Sequence, residues 1–383
     1  MTKNEMKILH IITGLGDGGA EHTLYKICKY DFTNKHIVIS LTDKGKYFSL
    51  LKKIKVKVYC LNTNFFSINK FFLLIKLIRF IKPNIVQTWL VHADFIGGIA
   101  SRIAGIDNVI WNVRYSKIHR GKAKLTTILI IKLLSKISYF LPKLIVIVSR
   151  RAKKIYEMEG YDKKKFRYIP NGYDLSILKV LKKKQIKFKK AKKKLPLIGY
   201  VARYDPLKDH SNLLNAIALI KMKGIVFSCL LVGTNINKNK NLINEIKRLK
   251  LTKYIKLYGP TKDISTIMNL LDIHVQSSRS EGFPNVVAEA MSFKTPCIVT
   301  DVGDSSYIVG KTGWVISPNN PIKLAKAIEL GIDEIGTKNW NNRCEKARER
   351  IKEKFNLGKM IKSYNKVWTN VLKKNNKKLK ALN

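Results

Sequence analysis

The sequence predicts an α/β protein made of two doubly wound, parallel-sheet domains. Three observations carry this. The chain has 383 residues, more than one hydrophobic core usually fills. Short β-branched runs alternate with segments of helical period, the pattern of parallel strands joined by crossover helices. The alternation breaks once, at residues 179–194, where ten lysines in sixteen residues and no acid are too repulsive to build a core and read as an exposed linker.

In the first half, strand-like runs fall at 6–13, 36–40, 55–61, 84–89, 108–113, 144–149 and 166–170, with helical period at 68–81 and 123–139. Past the lysines, strands read at 195–202, 227–233, 255–259, 273–278 and 296–302, and helices at 209–221, 239–249 and 284–292. Residues 340–373 read as two helices broken near Asn356-Leu357-Gly358. The expected division is a first domain at 1–178, a basic linker at 179–194, a second domain at 195–355, and a C-terminal helix at 356–383 able to return to the first domain.

Composition narrows the function. The formal charge of +48 invites a nucleic-acid reading, but only 13 of the 74 basic residues are Arg, and base and phosphate recognition favours the guanidinium fork. The lysine excess fits either a solvated surface or attraction to an anionic membrane face. The stretch 179–194 offers only Phe188 as a stacking aromatic, so no nucleic acid is expected as partner. Cys28, Cys60, Cys229, Cys297 and Cys344 are scattered, which argues against a disulfide framework and a zinc site and suits a reducing cytoplasm. The N-terminus does not read as a signal-peptide core. Lysines interrupt the most apolar stretches, so no membrane span is expected.

The first motif is Gly14-x-Gly16-x-x-Gly19 after the first strand, the spacing of dinucleotide sites. A nicotinamide enzyme also needs a ribose-binding acid about 20 residues on, at a strand end, and Asp43 is the nearest candidate. Such an enzyme leaves the later motifs without a role.

Two loops in the second half carry more. In "GYVARYDPLKDH", Arg203 follows a strand, Lys208 lies five residues on, and Asp209 or Ser211 can cap the next helix. Two cations at one strand end can hold a diphosphate without a metal, although a surface ion pair with Asp205 or Asp209 explains them equally on this loop alone. In "SEGFPNVVAEAMSF", Gly282-Phe283 reads as a tight turn and Pro284 as the first helical residue. The amides from Gly282 to Val286, Pro284 excepted and Asn285 included, then become donors at a helix N-terminus, a ready anion site. Glu281 and Glu289 flank that turn. Carboxylates beside a phosphate site suit sugar hydroxyls, one holding a hexose and the other a ribose diol.

The run E-G-F-P-x-V-x-x-E-A-M, Glu281 to Met291, resembles the E-x7-E signature of the retaining glycosyltransferases of family 4, whose GT-B fold sets two Rossmann-like domains around a cleft. "VARYDPLKDH", "IPNGYD" at 169–174 and "VGKTGWVISPNNPIKLAKAI" at 309–328 are similar to that family's other segments. The resemblance implies that Arg203 and Lys208 bind the donor diphosphate. It implies that Glu281, with the backbone of Gly282 and Phe283, holds the donor hexose, and that Glu289 takes the ribose hydroxyls. The loop of Gly16, Gly18 and Gly19 would close over the phosphates, with no metal or other cofactor required. His92 resembles the family's histidine at the matching loop, contacting donor sugar or acceptor, and a structural role fits it as well. Arg114 ends the next strand and can meet an acceptor phosphate or serve as a surface or capping residue. Two departures stand out: Ala202 replaces the usual Gly before the Arg, and "TDVGDSSYIV" at 300–309 lacks the common G-G-x-x-E, with Asp304 and Tyr307 in that region.

The function expected is transfer of a hexose or N-acetylhexosamine from a nucleotide sugar, a UDP-sugar, to a glycan on a lipid carrier in bacterial polysaccharide biosynthesis. The enzyme would sit at the cytoplasmic membrane face, where the apolar helix at 125–141 with Lys132 and Lys136 can lie in the interface. The alternatives are an NAD-dependent oxidoreductase and a GT-B hydrolase or epimerase of nucleotide sugars that needs no glycan acceptor.

Overall fold

The computed structural model describes residues 5–42, 44–62, 67–114, 125–180, 195–261 and 263–380. Asp43 and most of the lysine-rich stretch, 181–194, therefore lie outside the described residues. The chain divides into two compact units, residues 1–171 with 358–383, and residues 172–357.

The first unit carries β1 (Lys7–Ile12), α1 (Gly19–Tyr30), β2 (Lys35–Ser40), α2 (Lys46–Lys53), β3 (Lys57–Cys60), α3 (Ile68–Ile81), β4 (Ile85–Trp89), α4 (Val91–Ile103), β5 (Val109–Val113), α5 (Leu125–Ile137), β6 (Leu144–Ile147), α6 (Arg150–Met158) and β7 (Phe166–Tyr168). Its strands pair in the order β3-β2-β1-β4-β5-β6-β7, all parallel. Side chains alternate across a strand, so Leu9 and Ile11 face α3 and α4 with Ile37, Ile39 and Val86, while His10 faces the opposite layer. Burial on both faces of the sheet explains why β4 and β5 bury every residue, the polar Gln87, Thr88 and Asn112 included, and do not alternate buried with exposed.

The second unit carries β8 (Leu197–Val201), α7 (His210–Met222), β9 (Ser228–Val232), α8 (Lys240–Arg248), β10 (Ile255–Tyr258), α9 (Ile264–Leu270), β11 (Ile273–Gln276), α10 (Asn285–Ser292), β12 (Cys297–Thr300), α11 (Ser305–Val309), β13 (Trp314–Ile316), α12 (Pro321–Glu334) and α13 (Lys338–Lys354). Its parallel sheet runs β10-β9-β8-β11-β12-β13. Short polar side chains start its helices by accepting from first-turn amides: Asp209 for α7, Asn239 for α8, Asp263 for α9 and Asn320 for α12.

The last helix, α14 (Leu357–Lys380), belongs to the first unit from Gly358 on. Its buried Trp368 donates from Nε1 to Gln87 Oε1 at 2.6 Å, and Tyr364 Oη accepts from Asn112 Nδ2 at 3.0 Å, which fastens it to β4 and β5. Residues 172–180 go with the second unit. Tyr173 explains this, because its amide donates to Phe355 O at 2.8 Å and its carbonyl accepts from Leu357 N at 3.0 Å.

In each sheet the strand order reverses direction at one place, between β1 and β4 and between β8 and β11. Loops leaving such switch points at the carboxyl edge are where doubly wound sheets take ligands.

Candidate active site

In the second unit, the loop after β8 and the loop after β11 meet at the switch point. Ladder bonding continues past Val201, with Ala202 N donating to Val232 O and Tyr204 N to Thr234 O, both at 2.9 Å. Gly233, at φ +150°, allows this closeness, since a Cβ there would lie 2.1 Å from Ala202 O.

Arg203 stands at this edge with two-thirds of its side chain in water, and its Nε and terminal nitrogen each lie 3.2 Å from Asp205 Oδ2. The surface pair anticipated from sequence is thus present. So exposed a pair contributes little to stability and is cheap to open for a stronger anion. Asp205 also accepts from Leu207 N at 2.8 Å. Burial acts to raise its carboxyl pKa, but the Leu207 amide and the Arg203 guanidinium outweigh it and hold the group below its usual range.

Lys208 points the other way. Its Nζ lies 2.6 Å from Glu281 Oε1, the side chains being 21% and 11% exposed, so cation and carboxylate are largely withdrawn from water together. Ser278 Oγ donates to the same oxygen at 2.7 Å, and Tyr200 Oη lies 3.1 Å from Ser278 Oγ while donating to Lys208 O at 2.7 Å. Burial pushes the Tyr200 phenol far up, so it remains a donor. Asp209, in the left-handed region at φ +49°, both caps α7 and accepts a two-pronged bond from Arg279, at 2.7 and 3.0 Å. The loops bearing Lys208 and Glu281 are thereby locked to each other.

Sequence reading missed Tyr200, Ser278 and Arg279. These are ordinary residue types, and the contacts by which they join the two loops, Tyr200 to Ser278 and Arg279 to Asp209, span 78 and 70 positions and leave no local signal.

Helix α10 begins at Asn285, with Pro284 as its N-cap at φ −72°, ψ 99°, one position later than the sequence suggested. Extended ψ at Pro284 is the reason: the proline ring fixes φ but the turn does not close until the next residue. The amides at this end point out of the helix toward the loop of Glu281 and Gly282. Phe283 anchors the turn edge-on against Phe355, 5.5 Å between centroids, and Tyr173 Oη donates to Asn285 Oδ1 at 2.7 Å. Val286 and Glu289 follow in the first turn and a half, half-buried, with Glu289 one turn beyond Asn285 on the same face.

Asp304, which stands where the G-G-x-x-E pattern was missing, is buried; its amide donates to Gly282 O at 2.8 Å. Gly303 has φ +54°, and a Cβ on it would meet Glu281 O and Gly282 O at 2.4 Å. Gly303→Ala is therefore expected to cost about 1–3 kcal/mol and to displace the Glu281 turn. Thermal unfolding and the donor KM read both effects, and wild-type values of each would show that the turn yields without cost.

The first unit places its candidates at the carboxyl edge of its own sheet. Gly18 caps α1, Gly19 is that helix's first residue, and a Cβ on Gly16 would meet nothing within 4 Å, so this loop presents bare backbone. His92 is the second residue of α4, half-buried, behind Leu90 at φ +74°. Arg114 is deeply engaged: its guanidinium donates to Asn112 Oδ1, Thr23 Oγ1, Asn171 Oδ1 and Tyr364 Oη at 2.6–3.2 Å and lies over the Trp89 ring. That is the geometry of a structural hub.

Among the described residues, His10, Cys28 and His36 come near a metal-ligand set. Trp89 Nε1 donates to His10 Nδ1 at 3.2 Å, so His10 Nε2 carries a proton and donates to His36 Nδ1 at 2.9 Å; His36 Nε2 then donates to Asp31 at 3.2 Å. The two facing imidazole nitrogens are occupied by one another.

Two doubly wound units of this topology define a GT-B protein, and solved structures agree: a glycosyltransferase from Rickettsia africae superposes with TM-score 0.82 at 21% identity over 97% of this chain and 99% of its own. HepE from Anabaena, solved with UDP and glucose, superposes with TM-score 0.80 at 20% identity over 96% and 100%. In sequence, the chain is 27% identical over 299 residues to the UDP-Gal:alpha-D-GlcNAc-diphosphoundecaprenol alpha-1,3-galactosyltransferase of Escherichia coli, covering 75% of this chain and 76% of that one. The profile of Glycosyl transferases group 1 matches residues 182–354, all within the second unit.

Proposed function

We propose that this transferase moves a hexose or N-acetylhexosamine from a UDP-sugar, with retention of configuration, onto a glycan carried by a lipid phosphate in bacterial polysaccharide biosynthesis. The observation that carries it is the Lys208–Glu281 pair at the switch point of the second sheet, beside Arg203 and the amino end of α10. Arg203 leaves Asp205 and Lys208 shares itself between Glu281 and the diphosphate, so the departing phosphate's charge meets fixed cations and helix-end amides. No divalent cation is needed for that charge. Glu281, freed in part, accepts from the hexose hydroxyls, and Glu289 from the ribose.

The acceptor oxygen attacks the anomeric carbon from the face the phosphate leaves. The bond to the phosphate oxygen breaks as the glycosidic bond forms, and that oxygen takes the acceptor's proton.

A UDP-sugar and a lipid diphosphate acceptor are what the name of the Escherichia coli relative states for that protein, and HepE was solved with UDP and glucose. Apolar side chains on α5, Leu129 and Leu133, stand exposed beside Lys132 and Lys136, which suits an anionic membrane face. Release of UDP, measured with and without a lipid-linked glycan, tests transfer: release is expected to depend on acceptor, and equal release without it favours a hydrolase. Proton NMR of the product is expected to show the donor's anomeric configuration kept; an inverted product overturns the family 4 mechanism.

A further inference from the structure

We infer that the first unit holds a binding pocket for the apolar chain next to the phosphate of the acceptor's lipid carrier, an inference that rests on the lipid-acceptor reading above. A cavity of about 300 Å³ opens between α3 and α4 where they leave the sheet. Leu41 and Leu61, each directly after the end of β2 and β3, form its floor with Phe71, and Ile68, Phe95 and Ile96 form its walls. This volume lies at the lower end of small-molecule sites, enough for a short stretch of chain.

Position distinguishes it from a packing defect. It lies at the carboxyl edge of the sheet, the edge that carries the Gly16 loop, and Phe95 and Ile96 sit about one helical turn along α4 from His92. Ile68, which lines it, is 71% exposed, an apolar side chain held in water at the cavity's mouth.

Charge selects the chain's class. Lys70 lines the cavity at the amino end of α3, and the first turn of that helix has no acid. A cation and a positive helix end beside an apolar hollow complement an anionic phosphate attached to a hydrocarbon, and fit neither a free sugar nor a fatty chain lacking charge.

Equilibrium titration of the full chain with geranyl phosphate, with inorganic phosphate in parallel, tests the pocket. Geranyl phosphate is expected to bind at least about tenfold more tightly than inorganic phosphate. Ser67→Trp, which sends an indole inward from an exposed rim position, and Ile68→Asp are expected to weaken it by about tenfold or more. Phe80→Asp, equally exposed but three turns along α3, is expected to leave it unchanged. Equal binding by wild type and Ser67→Trp, or equal binding of the two phosphates, overturns the pocket. UDP release with a water-soluble, chain-free glycan acceptor, measured on the same preparations, is expected to be the same in Ser67→Trp and wild type. If the wild type shows no acceptor-dependent release with any acceptor, the transfer reading falls, an outcome distinct from a pocket that binds no geranyl phosphate in an active enzyme.

Discussion

Lys208→Ala is expected to lower kcat/KM for the donor by about 10²- to 10³-fold, the scale on which removing one preorganised charge-stabilising group acts. Lys208 brings a cation, held by Glu281 at 2.6 Å, to the end of β8, so no reorganisation is required when charge develops on the leaving phosphate. The same substitution leaves Glu281 Oε1 to the Ser278 hydroxyl. The pair lies between an exposed and a fully buried one, so the stability loss is expected to be about 1–3 kcal/mol. Initial rates taken well below the melting temperature separate the two effects. A variant that melts early but turns over normally per folded molecule would confine Lys208 to a structural role.

Acidification is expected to weaken both units through histidines buried in the neutral form. Burial lowers His210 to about 4 and His274 to about 3, and burial with the neighbouring His36 holds His10 well below its ordinary value. In the unfolded chain each titrates near ~6.5. Below that pH the unfolded state binds protons that the folded state refuses, so stability is full above about pH 7 and falls as pH drops.

At pH 5 His210 and His274 each cost about 2 kcal/mol, hence roughly 4 kcal/mol for the second unit. In the first unit Asp31 acts only further down. Burial acts to raise its pKa, but bonds from His36, Thr33 and Asn34 outweigh it, and stability that this carboxylate contributes is lost below about pH 4. His274 offers a direct check, because neither ring nitrogen has a hydrogen-bond partner among the described residues. His274→Leu is expected to raise the melting temperature at pH 5 and to remove about half of the second unit's acid sensitivity, with donor turnover unchanged. An unaltered pH profile of melting in that variant would contradict the assignment.

The fold was legible because parallel strands buried on both faces leave β-branched runs that stand out from helical period, as at β1, β6 and β12. Two of the shortest elements were not legible. β13, three residues, and α11, five, carry too few positions to show a repeat. Arg203, Lys208, Glu281 and the α10 turn could be picked out from residue type and spacing. That Lys208 and Glu281, 73 residues apart, would touch depends on β8 lying beside β11, a fact of strand order. Arg114 was ambiguous for the same reason, since its acceptors at Asn171 and Tyr364 are 57 and 250 positions away.

Calorimetric titration of UDP into the wild type and into an Arg203→Ala/Lys208→Ala variant, in buffer containing a chelator, tests the donor site most directly. The wild type is expected to bind UDP without added metal, and the variant at least about 100-fold more weakly. Equal affinity in the two proteins, or wild-type binding that appears only with a divalent cation, would contradict a diphosphate held by these two cations at the end of β8.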